Sequence, residues 1–479
     1  MIEWWKITWE DTHMNVLDFS DKRYWRLILA TGLPIMVQNL IFNSFTLVDN
    51  ILVGGLGEVN IAAVGVANKL TFIYMLFLFG INSGTNIFSA QYWGKQDLKG
   101  VRRVLGLSLG LGLTVSIPFT LIGLFAPHVI IDIFSNDPEV IRLGASYLAI
   151  VALTFPINAI TSSFGMQSRG VGRANVPLVS STVGFLFNAF LDYALIYGTF
   201  GFPAMGIQGA ALATLISKLL ECSVLVGIIY YKKYELAAKF SEFTGYSREF
   251  LLRFFRPVLP VILNEMFWAV GVSSYTYFYG VLGTEAVATV QILDVINSIF
   301  VAAFMGLGHA LGAVVGNLIG AGEEDTARIY AKRSALVSFG FGLVMSFMLL
   351  MIAPLFLNFF NINESTRQLC ERTIVVYAIY MIPKVLNHLM IVGVLRGGGD
   401  TVFAGIIDVG APWLIGIPMA YLGVRVLGWP VYLVMALINL EELTKACAGI
   451  WRLLSGKWLH NLVKDGEPEC QLEEAPEIA

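Results

Sequence analysis

Residues 27–50, LILATGLPIMVQNLIFNSFTLVDN, form an apolar run with one charged side chain, Asp49. A helix that crosses a bilayer needs about 20 predominantly apolar residues, so this run is long enough to span. It does not alternate polar and apolar residues, as the ~10-residue strands of a membrane barrel would. Eleven further runs meet the same test, near 60–84, 104–126, 141–163, 176–197, 207–231, 257–281, 286–314, 334–358, 371–392, 403–424 and 429–453. The whole chain agrees with them: of 479 residues, 56% are hydrophobic and 14% charged, against roughly 25% charged in soluble domains. The net charge of -3 gives no electrostatic footprint for nucleic acid. The four cysteines, Cys222, Cys370, Cys447 and Cys470, show neither metal-ligand nor redox spacing.

Basic residues collect on one side of these runs. Lys6, Lys22, Arg23 and Arg26 precede the first; Lys95, Lys99, Arg102 and Arg103 follow the second; Lys232, Lys233, Lys239, Arg248, Arg253 and Arg256 follow the sixth. The loops near 53–59, 198–206 and 282–285 carry none. Cytoplasmic loops hold the excess of Lys and Arg, so both termini are expected in the cytoplasm, with the chain multi-pass in the cell (inner) membrane. The expected partition is a cytoplasmic segment 1–26, an N-lobe 27–231, a linker 232–256, a C-lobe 257–454 and a cytoplasmic tail 455–479. The end of that tail is acidic, with Glu467, Glu469, Glu473, Glu474 and Glu477, and reads as disordered.

The two halves repeat. Pro34, Gly54, Leu56, Gly57, Ala62, Gly80, Gly94 and Arg102 recur 226 residues later as Pro260, Gly280, Leu282, Gly283, Ala288, Gly306, Gly320 and Arg328. One residue out of register, Pro127, Pro156, Arg169, Gly170 and Gly172 recur as Pro354, Pro383, Arg396, Gly397 and Gly399. Six spans per half give both halves the same orientation, a parallel repeat about an axis normal to the membrane. The fold class expected is an all-α membrane protein, twelve transmembrane helices in two pseudo-symmetric six-helix bundles. Two such bundles can rock about a cleft between them.

Ionisable residues at membrane depth are costly, which makes each a functional candidate. In the first half these are Asp49, Lys69 and Asp192. Asn188 shares a helix face with Asp192, and Thr214 adds a hydroxyl from the sixth run. Two carboxylates, an amide oxygen and a hydroxyl suit a hard cation such as Na⁺; the same two carboxylates could share a proton. A structural hydrogen-bond cluster, or a salt bridge from Lys69, are the competing readings. In the second half Glu265 has Asn39 as its repeat mate, so the acid belongs to one lobe only. It could pair with Lys384, or join Asp294, Asn297 and His388 at a coupling or substrate site. Lys218 with Glu221, and Glu441 or Glu442 with Lys445, read as intrahelical pairs, and Asp408 as a cap or a partner of Arg396.

Val48–Gly57 (VDNILVGGLG), Ala90–Lys95 (AQYWGK) and Leu395–Thr401 (LRGGGDT) resemble the multidrug and toxic compound extrusion (MATE) family, within the wider group of flippase-like exporters. The similarity covers about residues 20–460. It implies a secondary exporter, with Asp49, Asn188, Asp192 and Thr214 at the family's N-lobe ion or proton site and Glu265 at the coupling glutamate of some branches. Those branches carry an aspartate in helix ten, where this chain reads PKVLNH at 383–388.

No Walker sequence or ATPase domain is present, and no enzymatic motif emerges. The expected function is an antiporter of organic, cationic or amphiphilic compounds, driven by H⁺ or Na⁺ through alternating access, with no cofactor beyond Na⁺ itself. Its expected partners are a small-molecule substrate and the lipid bilayer, with the chain a monomer. The alternative is a flippase for a lipid-linked saccharide, which would need a cationic cleft built from residues such as Lys69, Lys218 and Lys384.

Overall fold

The computed structural model describes residues 16–358, 360 and 362–464. Lys6, Cys470 and the acidic residues from Asp465 onward lie outside them. The described chain is helical throughout, with one isolated bridge, Gly399 to Leu459.

Six spans build the first half: α1 (Lys22–Gly54), α2 (Glu58–Gly94), α3 (Leu98–Phe125), the pair α5 (Pro138–Val151) and α6 (Thr154–Gly170), α7 (Asn175–Tyr197) and α8 (Ile207–Tyr231), with the short α4 (Pro127–Asp132) after α3. The second half comprises α9 (Arg248–Val281), α10 (Thr284–Gly320), α11 (Glu324–Leu357), α12 (Glu364–His388), α13 (Thr401–Ala411), α14 (Ile417–Tyr421), α15 (Val431–Ile438) and α16 (Leu440–Ser455). π-Helical turns at Leu389–Arg396, Pro412–Gly416 and Leu422–Val426 extend α12 and join α13 to α14 and beyond. Side-chain caps start several helices: Asp21 accepts from Tyr24 N–H at 3.0 Å, Ser247 from Phe250 N–H at 3.0 Å and Asn363 from Thr366 N–H at 2.7 Å.

Among the described residues, ten helices are long and apolar enough to cross a membrane, and α5 with α6, bent by 47°, makes an eleventh. The expected twelfth span is helical but broken at Asn439, and its second piece carries Glu441, Glu442 and Lys445. Hydropathy also understated helix lengths. At 37 residues, α2 and α10 are about 55 Å long against a hydrocarbon core of about 30 Å, so both project well beyond it. Likewise α9 starts at Arg248 rather than at 257, which shortens the expected linker. Helix α1 continues through Pro34.

The lobes interlock at the end carrying the basic loops. Tyr24 and Ile28 of α1 pack in the core of the second half with Tyr330 and Ala331, while Phe250 and Phe254 of α9 pack in the first half with Phe88 and Val104. Arg333, fully buried, pairs with Asp21 at 2.7 Å, and Arg23 pairs with Glu323 at 3.0 Å. The expected boundaries at 27 and 257 therefore divide the sequence more sharply than the packing does. Between the lobes α2 and α10 meet backbone to backbone: a Cβ on Gly94 would strike the Asn317 carbonyl, and one on its repeat mate Gly320 the Gln91 carbonyl. Hydrogen bonds join the lobes as far as Asn43 to the Ser298 carbonyl (3.2 Å), near the middle of α1 and α10.

This contact predicts that Gly94→Val and Gly320→Val each lower the melting temperature of the purified protein, since overpacking costs about 1–3 kcal/mol. Gly110, inside α3 with open space where a Cβ would point, is the control: Gly110→Ala should not lower the melting temperature, since alanine is favoured over glycine within a helix by about 0.5–1 kcal/mol.

Candidate functional site

In the N-lobe, α1 packs against α7 and α7 against α8. That places Asp49 of α1 opposite Asn188 and Asp192, which lie one turn apart on α7. The Asp49 and Asp192 carboxyls stand within hydrogen-bonding distance of each other, and Asn188 adjoins Asp192. Both α7 side chains are fully buried. Neither Asp192 oxygen, neither Asn188 amide atom nor Asp49 Oδ1 has a hydrogen-bond partner among the described residues. Unsatisfied buried polar atoms are costly and uncommon in native proteins. Five of them converging from two helices form a cradle of polar atoms.

The other first-half candidates have their own partners and exposures. Thr214 on α8 is half-buried and donates to the Ala210 carbonyl at 3.0 Å, which leaves its oxygen lone pairs to accept. Ser217, one turn on, is buried with an unpaired Oγ. Tyr147 of α5 is buried beside both aspartates; nothing in its sequence neighbourhood singled it out. Lys69 is exposed and pairs with neither aspartate. Lys218 pairs with Glu221 at 2.9 Å, as its spacing implied, and lies 5.0 Å over the Phe45 ring.

The expected Glu265–Lys384 pair does not form. Glu265 binds Arg396 at 2.7 Å; the arginine ends the π-helical turn Leu389–Arg396, which packs along α10. Arg396 also reaches Asp408 at 3.4 Å, Asn264 donates to Asp408 at 3.0 Å, and Lys445 lies 3.6 Å from Asp408 and 3.9 Å from Glu441. Glu441 closes this chain by accepting from the Tyr275 hydroxyl at 2.5 Å, in space that only a glycine at 416 leaves open.

Lys384 instead faces a cavity of about 310 Å³ with Asp294, Glu441 and Glu442. Trp268, Tyr275, Tyr279 and Tyr377 supply aromatic wall, and Tyr377 donates to Asp294 at 2.8 Å. Asn297 is buried with its Oδ1 unpaired and is not part of that lining. His388 lies elsewhere, its ring 5.4 Å from Phe304 and 6.0 Å from His309. The second-half candidates thus divide: Glu265 belongs to an internal ion-pair chain, whereas Asp294 and Lys384 belong to the cavity. Glu441 and Glu442, read from the sequence as intrahelical partners, line that cavity.

Repeat mates connect the two lobes chemically. At the offset of 226–227 residues Asp49 corresponds to Tyr275, Thr214 to Glu441, Arg169 to Arg396 and Lys218 to Lys445. The same two helix positions therefore hold an acid and a hydroxyl in each lobe, with the roles exchanged.

The MatE family model matches residues 34–194 and 260–422, one stretch in each lobe. The chain is 24% identical over 439 residues to a probable multidrug resistance protein NorM of Thermotoga maritima, covering 90% of this chain and 92% of that one. It is 25% identical over 395 residues to the multidrug resistance protein PmpM of Pseudomonas aeruginosa, covering 82% and 83%. Among solved structures, the outward-facing conformation of a multidrug resistance MATE family transporter of the MOP superfamily superposes with a TM-score of 0.83 at 20% identity. That match covers 92% of this chain and 97% of the other. Matched in both lobes of a multi-spanning helical fold, the chain belongs to the MatE family and is a secondary transporter.

Proposed function

We propose that the protein exports organic cations across the cell membrane in exchange for H⁺ or Na⁺, by alternating access between its lobes, with both termini in the cytoplasm. The observation that carries this reading is the cradle at Asp49, Asn188 and Asp192. Two carboxylates this close at membrane depth repel each other strongly, and a shared proton or cation removes the repulsion. The available donors are all oxygens, which suits a hard monovalent cation. Within this reading Asp49 and Asp192 hold the coupling ion, and Asn188 and Thr214 complete its shell. Pairing that charge would change how tightly α1 packs on α7, and α1 is the helix that also packs along α10.

The substrate class follows from the second-half cavity. Three carboxylates face one ammonium there, beneath an aromatic wall. Aromatic faces attract organic cations, and the acids supply charge complementarity. Alternative transport of a lipid-linked saccharide would call for a cationic cleft. Lys218 is bound to Glu221, and Lys384 stands among acids, which favours the cationic substrate.

Two measurements test these assignments. Vesicle efflux of a fluorescent organic cation, with Na⁺ and pH gradients imposed separately, should depend on one gradient and vanish in Asp49→Asn and in Asp192→Asn. Undiminished gradient-driven efflux by either variant removes the pair from coupling. For the cavity, Glu441→Gln should weaken equilibrium binding of the same cation. A charged contact is worth about 1.5–3 kcal/mol, or roughly 10–100-fold in Kd. Unchanged Kd would place the substrate elsewhere.

A further inference from the structure

Helix α16 ends at Gly456, whose left-handed conformation (φ 67°) turns the chain back under the bundle. The segment that follows, expected from sequence to be part of a cytoplasmic tail, crosses from one lobe to the other. Trp458 is 1% exposed and packs on Gly398, and His460 N–H donates to the Gly398 carbonyl at 2.7 Å. Asn461 donates to the Ile319 carbonyl of α10 at 3.2 Å. These anchors lie in the C-lobe.

The remaining anchors lie in the N-lobe. The Gln91 side chain of α2 donates to the His460 carbonyl at 3.1 Å and accepts from Leu462 N–H at 2.7 Å, so one amide reads two backbone groups. Lys95 donates to the Val463 carbonyl at 3.2 Å, and the Val463 side chain, 3% exposed, packs in the core that contains Phe88, Tyr92 and Val101. Gln91 and Ile319 are themselves seam residues. Gly320 lies against the Gln91 carbonyl, and Gly316 against Ala90.

We propose that residues 458–463 are a strap that latches the two lobes together at the face bearing the basic loops, and that its release from Gln91, Lys95 and the Val463 seat is a step of the transport cycle. Separating α2 from α10 at this face stretches the strap between anchors on both sides. The C-lobe side holds an almost fully enclosed tryptophan and the N-lobe side a single buried valine, so the N-lobe side lets go. The strap thereby favours the arrangement in which the seam is closed. This inference rests on the lobes moving apart at the seam, as the proposed alternating access requires. It needs neither the cation substrate nor the Asp49–Asp192 site.

Hydrogen–deuterium exchange on the full chain in lipid nanodiscs, without substrate, tests it. Exchange is read over peptides covering 86–97 and 311–322, in the intact protein, a chain ending at Lys464, a chain ending at Leu459, and Val463→Asp. Removing a latch raises the open population and hence amide exchange. The chain ending at Leu459 and Val463→Asp should each exchange at least about threefold faster in both peptides, with the chain ending at Lys464 matching the intact protein. Equal exchange in all four forms, each monodisperse, would overturn the strap. Acceleration already complete in the chain ending at Lys464 would overturn it too, by assigning the effect to residues 465–479.

Discussion

Asp49 and Asp192 face each other across α1 and α7 with no basic side chain bound to either, inside a bundle of apolar membrane-length helices. Two charges of one sign held there cost several kcal/mol unless something pairs with them. The rest of the N-lobe conforms to this constraint. Asn188 keeps both amide atoms unbonded beside Asp192, and Lys218, the lysine of α8, is bound to Glu221. A lobe built in this way has a reason to take up a cation or a proton, and its packing changes when it does.

The second lobe meets the same burden differently. The repeat mates of Asp49 and Thr214, Tyr275 and Glu441, satisfy each other directly, and Arg396 and Lys445 thread between Glu265, Asp408 and Glu441. Buried ion pairs that are also hydrogen-bonded hold a packing arrangement in place, and removing one partner strands the other. A duplicated scaffold has thus diverged into one lobe whose facing acids, Asp49 and Asp192, have no basic partner bound and one whose Glu265, Asp408 and Glu441 are held by Arg396 and Lys445 beside an aromatic, acid-lined cavity.

Much of this was legible in the sequence, for identifiable reasons. Long apolar runs report spans because the bilayer leaves the backbone no partner but itself, and Pro, Gly and Arg at constant offset report the repeat. Asp49, Asn188 and Asp192 stood out because acids are rare at membrane depth. What sequence could not supply was the path of an irregular backbone. The π-helical turn at 389–396 decides that Arg396, rather than Lys384, meets Glu265, and the break at Asn439 turns Glu441 and Glu442 toward the cavity. Neither feature leaves a periodic signature. The strap was missed for a related reason: residues 456–464 are few and mix apolar with polar side chains without period, and only the seam they cross gives Val463 and Trp458 somewhere to be buried.

The central claim is that the Asp49–Asp192 pair carries the exchangeable ion or proton. Infrared difference spectroscopy of the carboxyl stretch, on reconstituted protein taken through a pH titration with and without Na⁺, addresses it without any substrate. The account predicts a carboxyl signal that titrates in the native protein, is displaced by Na⁺ if Na⁺ is the coupling ion, and disappears in both Asp49→Asn and Asp192→Asn. A difference spectrum identical in the native protein and both variants would contradict it.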